Sequence, residues 1–389
     1  MTRPLTVVQL LPELNAGGVE RSTLEIAAAL CDAGHRAIVV SAGGMLVPAL
    51  QAIGAEHIAL PIGRKSPLTL RYIPGLRKLF HETRADIVHA RSRLPAWLAV
   101  AALRGMDAPP RFVTTMHGLN SPGRYSGVML RCERTICVSE TVCAYALQHY
   151  PDTDPARLTV IPRGVDPAMF STHMDVGSAD RRMEHLRPCE AGPDADWRAT
   201  FLARHPQVDG GRVLLMPARG TRLKGHAHAL RLLAQLRADG IDARLLLAGV
   251  EQPGRERYLA ELHAQADALG LHDAVAFTAP LADIRELYAL SDVVLQLSDK
   301  PEAFGRTVIE ALCSGRAVLG WDRGGVGELL RELFPDGTVA FADADGLVTC
   351  AKALLAAPRP TIPLPDRYTL ARMQSDTLAL YANLVAESN

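Results

Sequence analysis

Residues 301–320 read PEAFGRTVIEALCSGRAVLG, with Glu302 and Glu310 on either side of a Phe-Gly pair. Each carboxylate can accept two hydroxyl hydrogen bonds, which suits the vicinal diol of a sugar or a ribose. Between them, Phe304, Gly305, Arg306 and Thr307 open an apolar helical run, TVIEALC. Backbone N–H groups at a helix start lack intrahelical partners and favour an anion, and glycine lets that anion come close. Glu310 lies one turn in, and its side chain leans back toward the helix start. Two acids could therefore flank a bound phosphate. On spacing alone, a capping acid plus a core glutamate paired with an arginine would fit as well.

A second stretch, PARGTRLKGH, places Arg219 and Lys224 in a loop between the strand VLLM and a helix. Two cations there can neutralise a departing diphosphate without a metal. In NAGGVERS, Gly17 and Gly18 link the strand VVQLL to a helix and permit close backbone approach to a ligand. The full GxGxxG fingerprint is missing, and no acid closes the next strand to hold a ribose, which disfavours a nicotinamide-dependent dehydrogenase. His117, in TTMHGLN, follows a strand and precedes a glycine, where it can face the same ligand. Three D-x-D matches, at 152, 194 and 343, lie in loops flanked by Pro or Gly, unlike a metal-binding motif after a strand. HExxH, GxSxG, GxxxxGK[ST] and zinc-type Cys/His spacings do not occur.

These loops need strands and helices to hold them. LTVVQLL, RAIVVSAGG, ADIVHA, RFVTTMHG and TICVSE read as short apolar strands alternating with helical stretches such as VERSTLEIAAALCDAG. The plan restarts with GRVLLMPARG, DARLLLAGVE, AVAFTAP and DVVLQLS, again with helices between. Continuous apolar strands alternating with helices predict parallel sheets covered on both faces, with ligands at the strands' carboxyl ends. The chain has 389 residues, enough for two such domains. Residues 171–211 lack clear periodicity and read as a linker or insertion, and TLARMQSDTLALYANLVAE reads as a final amphipathic helix.

Lys+Arg and Asp+Glu are both 42, yet residues 1–170 hold 18 Lys and Arg against 13 Asp and Glu. The window 63–84 concentrates six of those cations with one glutamate, either a solvated surface or a patch facing anionic lipid or acceptor. Seven scattered cysteines without a CxxC pair point to a reducing compartment. The N-terminus shows no signal-peptide pattern and no run reaches the length of a spanning helix, so a cytoplasmic protein is expected.

Together, Glu302-x₇-Glu310 around Phe-Gly, Arg219-x₄-Lys224-Gly and the Gly17-Gly18 loop resemble the family 4 retaining glycosyltransferases of GT-B fold. VSE (138–140), VIPRGVDPAMF (160–170) and GGVGE (324–328) match the same family in position and wording. GGVERSTLE, RSRLPAW and HGLNSPGRYS further resemble bacterial members that build lipopolysaccharide or other surface glycans.

The resemblance implies two doubly wound Rossmann-like domains with an interdomain cleft. Residues 1–170 would form the acceptor-side domain and 212–366 the nucleotide-sugar domain, with 367–389 a helix crossing back to the first. Arg219 and Lys224 would hold the diphosphate. Glu302 would bond donor-sugar hydroxyls, with Phe304, Gly305, Arg306 and Thr307 beside sugar and phosphate. Glu310 would hold the ribose. Gly17 and Gly18 would lie against the diphosphate from the other domain, and His117 would touch the sugar near the reacting carbon. Ser139 and Arg163 match motif positions that line the cleft.

The implied partners are a nucleotide-sugar donor carrying UDP or GDP and a glycan or lipid-linked acceptor. Peripheral contact with an anionic membrane at the inner face of the cytoplasmic membrane is implied as well. No nucleic acid, metal or resident cofactor is expected. The chain departs from the pattern at Arg306, where many relatives carry an apolar residue, and at Arg163, which replaces a common asparagine. Ala218 also stands where glycine is frequent. A nucleotide-sugar epimerase and a non-catalytic glycan-binding scaffold of the same fold are the rival readings.

Overall fold

The computed structural model describes all residues except 1–2, 16, 171–194, 282 and 388–389. Most of the expected linker, with Cys189 and Asp194 of the middle D-x-D, thus lies outside the described residues. The chain divides into two compact units, the first built from residues up to 164 with those from 366 onward, the second from residues between.

In the first unit, strands and helices alternate as β1 (Thr6–Leu10), α1 (Gly18–Asp32), β2 (Arg36–Ser41), α2 (Val47–Ala52), β3 (Glu56–Ala59) and α3 (Ile73–Glu82). They continue as β4 (Ile87–Ala90), α4 (Arg93–Leu103), β5 (Arg111–Met116), β6 (Arg134–Cys137), α5 (Glu140–His149) and β7 (Leu158–Val160). The strands form one seven-stranded sheet in the order β3-β2-β1-β4-β5-β6-β7. All its pairings are parallel, and Gln9 of β1 lies between Val39 of β2 and His89 of β4.

Along one face, Val7, Val39, Ile87, Val113 and Ile136 share a core with Leu24, Ile26 and Leu30 of α1. Leu380, Tyr381 and Leu384 of the chain's last helix, Leu370–Ala386, belong to that core too. Each fully buried aliphatic side chain there contributes roughly 1.5–3 kcal/mol, which ties the C-terminal helix to this unit.

The second unit contains α6 (Pro167–Phe170), α7 (Ala195–Arg204), β8 (Arg212–Pro217), α8 (His226–Ala238), β9 (Ala243–Ala248), α9 (Glu256–Ala268) and β10 (Val275–Thr278). It goes on with α10 (Arg285–Leu290), β11 (Val293–Gln296), α11 (Arg306–Cys313), β12 (Ala317–Trp321), α12 (Gly324–Leu333), β13 (Thr338–Val339) and α13 (Ala344–Ala356). The Leu370–Ala386 helix is α14. Six parallel strands run in the order β10-β9-β8-β11-β12-β13. Leu214, Leu245, Val293 and Leu319 pack against Leu230 and Leu233 of α8 and Leu347 of α13.

In both sheets the strand order reverses once, between β1 and β4 and between β8 and β11. Loops leaving neighbouring strands at such a reversal diverge to opposite faces and leave a crevice at the carboxyl ends. The two sheets are GT-B-like, as the sequence leads one to expect. The six described cysteines are all free thiols.

Candidate active site

The reversal in the second sheet places the loop after β8 beside the loop after β11. Asp299 N–H donates to the Leu223 carbonyl at 3.0 Å, and Arg323 reaches the Asp299 carbonyl at 2.9 Å. Gly225, which caps α8, has φ +79°, and a Cβ on it would stand 1.8 Å from the Leu297 carbonyl oxygen. Only glycine lets these loops meet so closely.

That contact brings Lys224 to Glu302. The Lys224 Nζ lies 2.5 Å from Glu302 Oε1, and the Ser298 hydroxyl donates to the same oxygen at 2.7 Å. The Glu302 carbonyl accepts from Gly325 N–H at 2.8 Å, so backbone and side chain are both fixed. Burial alone would raise the pKa of Glu302. Lys224, Ser298 and the charge of Arg219 outweigh it and hold the carboxyl below its ordinary value. Glu302 is therefore an ionised acceptor at neutral pH. Arg219 itself is exposed at the end of β8, with its charge directed at the same group.

Gly305, with φ +105°, turns the chain into α11, and a Cβ there would press to 2.8 Å on Val326. Phe304 is buried, while Arg306 and Thr307 are half-buried at the helix start. Glu310 is buried and accepts a hydrogen bond from the Tyr288 hydroxyl at 3.0 Å. A tyrosine of α10 is thus one of its partners. His226, beside Lys224, is fully buried and meets Tyr258 at 3.2 Å. Burial, then the Lys224 charge, pushes it down to about 4, so it adds no further cation at neutral pH.

In the first unit, Gly17 caps α1 in extended backbone and Gly18 opens the helix. Ser139 is buried, and its hydroxyl accepts from Val142 N–H at 3.1 Å as the cap of α5. His117 and Arg163, which leave β5 and β7, meet: one guanidinium nitrogen contacts both imidazole nitrogens, Nδ1 more closely and Nε2 at 3.4 Å.

Beneath them runs a polar network that no motif in the sequence marks. Arg91 is buried and donates to Gln9 Oε1 at 2.8 Å and to Ser22 at 3.1 Å. His89, fully buried, lies 2.6 Å from the Tyr381 hydroxyl and 2.7 Å from that of Thr115. The signal was there: Gln9, His89, Arg91 and Thr115 occupy alternate positions that extend the face of Val7, Ile87 and Val113. Hydrocarbon near the strands' amino ends gives way to polar groups at their carboxyl ends.

The outer two D-x-D matches serve the backbone. Asp154 accepts from Ala156 N–H at 2.9 Å, and Asp343 from Gly346 N–H at 2.9 Å as the cap of α13. Among the described residues, no group of three or more His, Cys, Asp or Glu side chains is placed to hold a metal ion.

Two family models cover most of the chain: Glycosyltransferase Family 4 matches residues 16–169 and Glycosyl transferases group 1 matches residues 198–359. The chain belongs to glycosyltransferase family 4. It is a retaining glycosyltransferase that uses nucleotide sugars. A phosphatidyl-myo-inositol mannosyltransferase of Mycolicibacterium smegmatis is 24% identical over 87% of this chain and 81% of its own. A glycosyltransferase from Rickettsia africae superposes with TM-score 0.79 at 25% identity, covering 100% of both chains. The Anabaena HepE protein, solved with UDP and glucose, gives TM-score 0.74 at 20% identity over 97% of this chain and 100% of its own. At that identity the HepE likeness speaks for the transferase fold alone.

Proposed function

We propose that this transferase moves a sugar from a UDP- or GDP-linked donor to a glycan or lipid-linked acceptor in lipopolysaccharide or other cell-surface glycan synthesis. The observation that carries the reading is the Lys224–Glu302 pair at the strand reversal of the second sheet. It sets a cation, with Arg219 near, beside an ionised acceptor of hydroxyl hydrogen bonds. Arg219 and Lys224 take the diphosphate and stabilise its charge as the glycosidic bond breaks. Glu302 then reads sugar hydroxyls, and Glu310, steadied by Tyr288, reads the ribose. We assign none of these side chains as a covalent nucleophile. Retention is therefore assigned to front-face attack, the leaving phosphate taking the acceptor proton. Positioning and charge stabilisation are the protein's contribution.

A lipid-linked acceptor draws support from the name of the mycobacterial mannosyltransferase, and UDP is the nucleotide that the HepE protein of the same fold binds. Surface-glycan synthesis rests on the wording GGVERSTLE, RSRLPAW and HGLNSPGRYS. The test is to supply UDP- and GDP-hexoses singly and follow released sugar by proton NMR. Slow hydrolysis of one donor, with its anomeric configuration kept in the first-formed sugar, is expected. Interconversion of the donor sugar without release would make the protein an epimerase.

The same reading places the enzyme at the inner face of the cytoplasmic membrane. Among the described residues no helix is long and apolar enough to cross a membrane. The turn Pro67–Tyr72, however, exposes Leu68 and Leu70, at 70% and 58%. Arg64, Lys65, Arg71 and Lys78 are exposed around it. Each cation near an anionic bilayer is worth about 1 kcal/mol, and the leucines add apolar contact. Vesicles containing phosphatidylserine should bind the protein at low salt and bind L68S/L70S several-fold more weakly. Equal retention on neutral and anionic vesicles would contradict the assignment.

A further inference from the structure

Glu310 is an acid in the otherwise apolar run TVIEALC of α11 and is only 6% exposed. A carboxylate so placed is costly unless it is hydrogen-bonded. Tyr288 of α10 supplies one such bond, its hydroxyl donating to Glu310 Oε2 at 3.0 Å. The Tyr288 ring is fully buried, and Phe170 of α6, buried as well, packs against it with ring centroids 6.2 Å apart. α6 in turn lies on α11, and all three helices belong to the second unit. The phenol is thus walled in, and its hydroxyl is held at one place beside the acid. A glutamate side chain rotates around three bonds, the last of them broad and weakly restrained. A fixed donor at Oε2 therefore decides the plane in which the carboxylate offers its lone pairs. A carboxylate accepts about four hydrogen bonds, which accommodates a tyrosine and a vicinal diol together.

We propose that Tyr288 is a positioning residue that sets the plane of the Glu310 carboxylate and so gives the site its preference for ribose over 2′-deoxyribose. The inference rests on the reading that Glu310 holds the ribose. The two hydroxyls of a ribose arrive with a fixed separation, and hydrogen bonds weaken steeply when donor and acceptor are misaligned. They share one carboxylate well only when it is already turned to meet them. Without the phenol hydroxyl the carboxylate loses that restraint, and the loss falls on the bonds to the diol. The diphosphate, taken by Arg219 and Lys224, is held as before.

The test is calorimetric titration of wild type, Y288F and E310Q with UDP, GDP and the 2′-deoxy form of each. Wild type should bind the ribonucleotide of one base about 10- to 100-fold more tightly than its deoxy form, the worth of a hydrogen bond to a charged acceptor. Y288F removes one oxygen and keeps the buried ring. It should weaken the ribonucleotide until the ratio is only a few-fold, while the deoxy form, which presents one hydroxyl instead of a diol, loses much less. F170L keeps the hydroxyl but thins the wall behind it, and should lower the same ratio by a smaller factor. A tyrosine that merely filled space would, on losing its hydroxyl, weaken both forms alike. That result, or a ratio unchanged in Y288F, overturns the positioning role while leaving Glu310 as the ribose acid. If wild type binds the two forms equally, or if E310Q keeps the wild-type ratio, Glu310 does not read the ribose, and the inference falls with that reading. Absence of binding by every nucleotide removes both.

Discussion

Lys224→Ala is expected to lower kcat about 10²–10³-fold, the loss typical of removing one preorganised electrostatic stabiliser. Two effects combine. The cation that meets the diphosphate disappears, and Glu302 loses the partner 2.5 Å away that orients it. Left with Ser298 and the more distant Arg219, the carboxyl should drift up from its lowered pKa toward the value that burial favours. Steady-state kinetics on K224A, E302Q and the double variant check this. Residues that act as a unit are non-additive, so the double variant should be little worse than K224A alone. Lys224→Arg should recover only part of the rate, since a planar fork does not reproduce a point charge in this loop. Turnover of K224A within a few-fold of wild type would remove Lys224 from the mechanism.

Gly225→Ala is expected to be severely damaging to the second unit. The residue sits at φ +79°, and the new methyl would stand 1.8 Å from the Leu297 carbonyl oxygen. The obstacle is backbone of the strand exit, which has no rotamer to change. Left-handed backbone alone costs an alanine about 1–2 kcal/mol, and the overlap must move one loop off the other. The expected result is a loss of more than about 2 kcal/mol, read as a lower urea midpoint, with donor turnover falling at least as far as in K224A. Gly18→Ala is the control for stability, because a Cβ at Gly18 meets nothing within 4 Å and alanine suits the helical backbone that this residue opens. Equal stability of G225A and G18A would mean that the contact between the two loops carries no weight.

The parts of this site that were legible in the sequence are those that each loop declares alone. Lys224 and Glu302 each follow an apolar strand and precede a helix, and that context marks a ligand loop. Their pairing was not legible. They are 78 positions apart, and only the order β8-β11 makes them neighbours. Tyr288 lies in an apolar helical run and reads as core until α10 packs under α11.

The same holds for the strands. The apolar runs around β1, β2, β8, β9 and β11 stand out, whereas β3 (Glu56–Ala59) carries Glu and His among its 4 residues, and β7 and β13 have only 3 and 2. Pieces so polar or so short show no apolar run to read. β12, in RAVLGW, was absorbed into the stretch around the two glutamates. The network of Gln9, His89 and Arg91 escaped for a related reason. One polar residue in a strand looks incidental, and three become a site only when the sheet lays their strands side by side.

The most direct measurement is thermal unfolding of wild type and K224A with UDP and with GDP. A ligand at ~100 times its dissociation constant adds about 2.7 kcal/mol, a shift of several degrees for a protein of this size. Wild type should shift with one of the two diphosphates, and K224A should lose most of that shift. If neither diphosphate moves wild type, or if K224A shifts as far as wild type, the loop after β8 is not the diphosphate site.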